Sequence, residues 1–280
     1  MFCGNTPDLA SPNPGYCDEK NTKHGILYTM KQLPISIIII TLNEEKNIGN
    51  ILEDLQKQTY KNFEIIVSDS NSTDNTEHIV QHYAKKDARI AFYNCHTTRG
   101  PSFGRNFGVR HAQYEHLLFF DADVRIRDTH FLEKYIHYIQ KYSPDVGTFY
   151  WSAHNAPLIQ KPGYYLLNIG LRLSYLFSPT ACGAFMFSTK TAHKAIGGFR
   201  EDIHLCEDSD YVRDAKRAQC TMAVMPLSLE FNTRRLDQEG LFTSLFIYTR
   251  ANLYRFFTHK SITDNTITYE FDIYNKEQKK

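Results

Sequence analysis

From Ile35 onward the chain alternates short, almost wholly apolar runs with stretches in which apolar residues recur every three or four positions. Ile35 to Ile40 is β-branched except at Ser36, which suits a central strand buried on both faces. After Asn43, the residues Ile48, Ile51, Leu52 and Leu55 keep the i, i+3, i+4, i+7 spacing of a helix with one buried face. Phe63 to Val67 predicts a second strand ending at Asp69. Asp74 then offers an N-cap, with Glu77 as its capping-box partner, ahead of Ile79, Val80 and Tyr83. Arg89 to Tyr93 is a third short strand, and a helix carrying Phe107, Val109 and Ala112 leads into a fourth apolar run, His116 to Phe120. Repeated strand–helix units of this kind predict an α/β fold with a mostly parallel sheet and helices on both faces.

The second half is less regular. Phe131 to Tyr142 reads as a helix, Gly147 to Trp151 and Cys182 to Phe187 as strands, Asp208 to Ala218 as a helix, and Thr221 to Phe231 as extended. A boundary just after Asp123 divides residues 35–124 from residues 125–235 with no linker, so the two halves should share one sheet. Residues 1–34, rich in Asn, Pro, Gly and Lys, read as a disordered leader outside the fold. Residues 236–280 read as a C-terminal helix and tail. Within 236–259, Leu241, Phe242, Leu245, Phe246, Leu253, Phe256 and Phe257 are interrupted by Arg250 and Arg255. Such a stripe could lie in a membrane interface or pack onto the domain.

Composition narrows the classes. Of 280 residues, 42% are hydrophobic and 14% aromatic, which is a globular profile rather than a disordered one. The net charge of +1 supplies no basic excess for a general nucleic-acid binder. Six scattered cysteines without a Cys-x-x-Cys pair argue against a zinc site or a disulfide framework, so a reducing cytoplasm is the expected setting. No apolar run reaches the roughly 20 residues needed to span a bilayer.

Four polar clusters follow the apolar runs. Thr41-Leu42-Asn43-Glu44-Glu45 follows the first strand and could be a helix N-terminus, with Asn43 as cap and the acids at the positive end of the dipole. Ser68 to Thr76 follows the second, and a plain turn accounts for Ser72 to Thr76 better than for Asp69. Arg99 to Gly108 carries glycines that could bring a helix N-terminus close to a phosphate, with Arg105 as a charged donor. The fourth is the Asp121-Ala122-Asp123 end of the fourth strand. Carboxylates at i and i+2 of a regular strand share a face, and a hard cation relieves their repulsion. An isolated copy of that triplet is equally explained by a solvated turn.

Taken in order, these segments resemble family 2 glycosyltransferases of the GT-A fold. The matching positions are Thr41 to Glu45, Asp69 to Thr76, Gly104 to Gly108 and Asp121 to Asp123, followed by Gly197-Gly198-Phe199-Arg200-Glu201 and Glu207-Asp208-Ser209-Asp210. The similarity runs from about Ile35 to Leu236. It departs from the family at Ser70, where a second Asp is common, and at Asn71, where Gly is common. No Gln-x-x-Arg-Trp motif follows the Glu-Asp pair, which disfavours a processive polymerase.

The resemblance implies a Rossmann-like α/β/α sandwich and transfer of a sugar from a nucleotide-diphosphate sugar to an acceptor hydroxyl with inversion. It implies a divalent cofactor, Mn²⁺ or Mg²⁺, held by Asp123 with Asp121, and Asp121 also facing the ribose. Thr41, Asn43, Glu44, Asp69 and Asn71 would fix the nucleoside, with Arg105 near the phosphates. Asp208 would be the catalytic base, with Glu207 the second choice, although Asp208 could instead simply cap its helix. The acceptor could be a glycan, a lipid carrier or a small molecule, at a cytoplasmic site with peripheral membrane contact through 236–259. Two other readings are a catalytically degenerate nucleotide-sugar-binding protein and a sugar-phosphate nucleotidyltransferase. Retention of Asp121, Asp123 and Asp208 speaks against the first. Thr-Leu-Asn-Glu-Glu, where a Gly-rich loop would be needed, speaks against the second.

Overall fold

The computed structural model describes residues 32–97, 100–152, 161–203 and 205–230, together with part of 250–262. From Gln32 onward the described residues form one compact unit. Residues 1–31 of the leader and most of the helix assigned to 236–259 lie outside the described residues, whereas Leu33, counted with the leader, packs on the domain and accepts from Tyr60 OH at 2.7 Å.

Seven strands make one sheet in the order β3-β2-β1-β4-β6-β5-β7. They are β1 (Ile35–Thr41), β2 (Phe63–Asp69), β3 (Ile90–Asn94), β4 (His116–Asp121), β5 (Val146–Trp151), β6 (Phe185–Thr189) and β7 (Met222–Leu229). The pairings β1–β2, β1–β4, β2–β3 and β5–β7 are parallel, and β6 enters antiparallel to both of its neighbours. The helices are α1 (Ile48–Gln56), α2 (Thr76–Ala84), α3 (Gly100–His111), α4 (Phe131–Tyr142), α5 (Lys161–Phe177), α6 (Lys190–Ile196) and α7 (Glu207–Arg217).

The central strand explains the layering. Ile35, Ile37 and Ile39 point into one apolar cluster with Ile51, Leu52 and Leu55 of α1, Val80 of α2 and Leu132, Tyr135 and Ile136 of α4. Ile38 points the other way, into a cluster with Val109 of α3, Ala192 of α6 and Tyr211, Val212 and Ala215 of α7. A strand covered on both faces must be apolar at nearly every position, and each such isoleucine stabilises the fold by about 1.5–3 kcal/mol. Ser36 is the exception. It is fully buried, and its hydroxyl donates to Glu64 Oε1 at 2.6 Å and accepts from the Tyr114 N–H at 3.0 Å.

Three local expectations need correction. The strand expected over Cys182 to Phe187 starts only at Phe185, because Cys182 and Gly183 turn beneath the site described below. Asp74 and Glu77 form no capping box; the cap position of α2 is Asn75, and Asp74 Oδ1 instead accepts from Thr76 N–H and Oγ1 at 2.9 and 2.6 Å. The helix α5 was not expected at all. It is apolar around most of its circumference, and Pro162, Gly163 and Gly170 hide the helical period.

Candidate active site

The parallel register puts the ends of β2, β1 and β4 side by side. Thr41 pairs with Asp69 across β1–β2, and Ile40 pairs with Asp121 across β1–β4. The chain goes from β1 outward to β2 on one side and returns to β4 on the other, so this is where the strand order reverses. Ligands of open α/β sheets settle in that crevice, at the carboxyl ends of the strands.

On the β1–β2 side the Asp69 carboxylate is buried and fully engaged. It accepts from Thr41 Oγ1 at 2.7 Å, from Ser72 Oγ at 2.5 Å and from the Ser72 N–H at 2.8 Å. The loops after β1 and β2 satisfy each other's backbone. Asn43 N–H donates to Ser72 Oγ and Glu44 N–H to Thr76 Oγ1, both at 2.8 Å, while Glu45 N–H donates to Asp74 Oδ2 at 3.0 Å. In return Asn43 Oδ1 accepts from Thr73 N–H at 2.8 Å, and Glu45 Oε2 accepts from Asn75 Nδ2 at 2.9 Å. Asn43 is therefore a latch between loops and not the cap of α1, whose cap position is Asn47; Asn47 in turn donates to Glu44 Oε2 at 2.7 Å. Asn71 is exposed and left-handed, with φ of 65°. Asn is among the few non-Gly residues that tolerate this conformation, so its presence where the family favours Gly keeps the turn.

On the β4 side the strand stops at Asp121, and Ala122 and Asp123 form a turn. The two acids are therefore not alternate residues of a regular strand. Both stay half-buried at the crevice.

Between these and α7 stands Arg105. Gly104 and Gly108 lie inside α3 rather than at its phosphate-facing end. A Cβ on Gly104 would sit 3.3 Å from Ile40 Cγ2, and one on Gly108 would collide with Ile38 Cγ2. Two glycines one turn apart thus let α3 lie close on β1, and Ser68 Oγ fastens it by donating to the Gly104 carbonyl at 2.7 Å. That closeness drives Arg105 into the interior, where it is 2% exposed. Its Nη1 donates to Glu207 Oε1 at 2.9 Å, and its Nη2 donates to Asp121 Oδ1 at 3.0 Å and to the Gly183 carbonyl at 2.9 Å. Nε has no hydrogen-bond partner. Burial works against the charge, but Asp121 and Glu207 outweigh it and hold the guanidinium above its ordinary pKa. The Phe199 ring lies beneath, 5.3 Å from the guanidinium carbon, and stacks on Tyr211 at 4.0 Å. Gly197 and Gly198, at φ of 87° and 81°, turn the chain so that Asn106 can bond both the N–H and the carbonyl of Phe199 at 2.8 Å.

The helix α7 begins at the left-handed Cys206 and carries Glu207, Asp208 and Asp210 in its first turn, where the dipole favours negative charge. Glu207 is committed to Arg105. Asp208 is not a helix cap: it lies inside the first turn, and its Oδ1 accepts only from the adjacent Ser209 N–H, at 2.6 Å. Its surface is half-open, but Gly183 packs so closely that an added Cβ would lie 3.3 Å from Asp208 Oδ2. Burial first, then the Glu207 charge, push the Asp208 carboxyl up to about 7, against the opposing Ser209 N–H and Arg105. The same enclosure raises the Cys182 and Cys206 thiols, which leaves them inert. The third acid, Asp210, is turned away and bonded by the buried Arg255 at 3.0 Å. Arg255 thus faces inward onto α7, with Ala251 buried beside it.

The structure therefore joins Thr41, Asn43, Glu44 and Asp69 through the paired loops after β1 and β2, leaves Asn71 exposed in the second of these loops, and joins Asp121 through Arg105 to Glu207, the neighbour of Asp208. Sequence reasoning missed Gly183, whose absent side chain leaves room for Arg105 and Asp208, and Tyr175 of α5, whose hydroxyl is buried without a partner and feels the Asp208 charge. No local sequence signal marks either residue. Among the described residues no three His, Cys, Asp or Glu side chains converge as a metal cage. A nucleotide-bound Mg²⁺ or Mn²⁺ needs only one or two carboxylates beside the phosphates, so the Asp121 and Asp123 oxygens suit such an ion. A cavity of about 290 Å³ lined by Arg125, Arg127, Asp128, Lys134 and Glu230 shares no residue with this cluster. Its cations are already paired with Asp54, Glu230 and Asp128.

Known proteins share this fold. A mannosyltransferase from Pyrobaculum calidifontis, solved with GDP-Man and Mn²⁺, superposes with a TM-score of 0.65 at 20% identity, covering 82% of this chain and 65% of that one. Staphylococcus aureus TarS, solved with UDP-GlcNAc, superposes with a TM-score of 0.57 at 24% identity, covering 71% of this chain and 58% of that one. These likenesses establish the GT-A fold. Among curated proteins, a GalNAc(5)-diNAcBac-PP-undecaprenol beta-1,3-glucosyltransferase of Campylobacter jejuni is 37% identical over 90 residues, 32% of this chain and 29% of that protein. A dolichyl-phosphate beta-glucosyltransferase of Trichomonas vaginalis is 26% identical over 238 residues, 78% of this chain and 72% of that protein. The chain spans only about a third of the length of the first curated relatives it matches. The model of the family described as glycosyl transferase family 2 matches residues 36–192, which is more than half of the chain. The protein is a member of glycosyl transferase family 2.

Proposed function

We propose that the protein transfers a sugar from a nucleotide-diphosphate sugar to an acceptor hydroxyl in a single, inverting displacement. The observation that carries this reading is a carboxyl group, Asp208, pushed up to about 7 beside Glu207, which buried Arg105 joins to Asp121 at the carboxyl end of β4. A general base works best with a pKa near the working pH, and Asp208 meets that condition where Glu207, tied to Arg105, does not. In its ionised form Asp208 takes the proton of the attacking hydroxyl at a carboxylate oxygen. Glu207 and Arg105 position it.

The nucleoside is assigned to the side of the crevice built from Thr41, Asn43, Glu44, Asp69 and Asn71. Asp69 there holds a rigid frame through its three accepted hydrogen bonds. Asp123 and Asp121 would hold a divalent cation, which when bound acts as a Lewis acid toward the leaving diphosphate. Arg105 serves that region by fixing Asp121 rather than by reaching out to a phosphate. The relatives named for undecaprenol- and dolichol-linked substrates support a glycan or lipid-linked acceptor. The described cysteines are free thiols, in keeping with a cytoplasmic site. The reading is tested by donor hydrolysis with UDP-, GDP- and dTDP-sugars in the presence of Mn²⁺. Turnover of one donor class is expected, and release of no nucleotide from any of them would refute the assignment.

A further inference from the structure

The helix α5 has an unusual exterior. None of its 17 residues is buried, and Leu166, Leu173, Leu176 and Phe177 are between 51% and 75% exposed. A narrow face, Tyr164, Asn168, Leu171, Ser174 and Tyr175, is half-buried toward the body. Asn168 anchors it, accepting from the Trp151 N–H at 2.9 Å and donating to the Trp151 carbonyl at 3.0 Å. Soluble surfaces rarely carry a contiguous apolar patch of this kind without a partner.

We infer that α5 docks on the surface of an anionic lipid bilayer and holds the mouth of the active site against it. Charge selects this occupant. The helix contains Lys161 and Arg172 and no Asp or Glu, so it complements an anionic surface and would repel a second copy of itself. Among the described residues no helix is long and apolar enough to cross a bilayer, and Pro162, Gly163 and Gly170 interrupt the apolar run of this one. The helix lies in the interface and does not span it.

Its place in the fold gives the docking a use. The far end of α5 is fastened to the helix that carries Asp208, because Lys216 Nζ donates to the Leu176 and Phe177 carbonyls at 3.3 and 3.1 Å. Immediately before them, Tyr175 buries an unpartnered hydroxyl that feels the Asp208 charge. An acceptor with an apolar tail could thus stay in the lipid while its headgroup hydroxyl reached the base. This last step rests on the assignment of Asp208 as base, whereas the docking itself does not.

The test is co-sedimentation of the full chain with phosphatidylcholine vesicles, with and without phosphatidylglycerol, for the wild type and for Leu166→Glu/Leu173→Glu. Both positions are exposed, so the variant should keep the wild-type circular dichroism and donor hydrolysis. The wild type should sediment with the anionic vesicles, and the variant should partition at least about tenfold less, since each leucine withdrawn from water carries roughly that factor. Equal sedimentation of the two proteins, or none with either vesicle, would overturn the inference. A wild-type dimer that the variant dissociates, without vesicle binding, would assign the face to a second copy instead. A wild type that turns over donor but sediments with neither vesicle refutes only the docking; absent turnover in the wild type refutes the enzymatic reading.

Discussion

Arg105 Nη2 lies 3.0 Å from Asp121 Oδ1, and the same guanidinium reaches Glu207 through its other nitrogen at 2.9 Å. One buried cation therefore joins the end of β4 to the start of α7, whose Glu207 lies 102 residues beyond Arg105 in the sequence. The acids at the end of β4 and at the start of α7 are held in register by a single side chain. Replacing it with Met should destabilise the fold by about 3 kcal/mol, the lower part of the range for a broken buried pair, because Asp121 keeps 35% of its side chain in water. Arg105→Lys should fold better but lose activity, since one ammonium cannot fork to both acids. Urea denaturation and donor turnover together check this; a fully active Arg105→Lys would contradict the bridge.

The tuning of Asp208 sets a pH limb. Its carboxyl, raised to about 7, is ionised above that value and protonated below it. Turnover at limiting donor should therefore rise with pH through about 7 and flatten above. Initial rates from pH 5.5 to 8.5 measure this, and a flat profile would remove Asp208 from the role of base.

The same shift has a consequence for stability. Unfolded Asp208 titrates near 3.8 and folded Asp208 near 7, so the folded state holds the proton more tightly. No penalty exists below about pH 4, where both states are protonated; it grows between the two values and is complete above 7. Asp208→Asn should accordingly raise Tm more at pH 8 than at pH 4. Calorimetric scans at both pH values decide it.

Glycine at 108 should be tested against glycine at 170. Gly108→Ala drives a methyl into Ile38 and should cost about 1–3 kcal/mol despite the better helix propensity of alanine. Gly170→Ala, in an exposed helix interior with nothing within 4 Å, should gain about 0.5–1 kcal/mol. Opposite signs in chemical denaturation are the expected outcome.

Much of the fold was legible because its signals are local. Ile35 to Thr41 is apolar on both faces, and Phe131 to Tyr142 carries an unbroken helical period; both elements lie where the pattern puts them. The clusters after β1, β2 and β4 were legible as well, since strand ends in a parallel sheet converge by topology. What escaped was non-local. Asn43 looked like a cap because caps and loop latches use the same side-chain chemistry, and only the approach of Ser72 and Thr73 distinguishes them. Arg105 read as a surface phosphate donor because its burial depends on Gly104 and Gly108 pressing α3 onto β1. The helix α5 has no polar face to set its period, and its partner lies outside the domain.

The most direct measurement is on Asp208→Asn with two readouts from one sample: donor binding by calorimetry in Mn²⁺, and sugar transfer to acceptor. Asp123→Ala serves as the contrast, in which metal-dependent donor binding should be lost. For Asp208→Asn the account predicts donor affinity within about twofold of wild type and a transfer rate reduced by about 10²–10⁴-fold. Unchanged transfer by Asp208→Asn would contradict it.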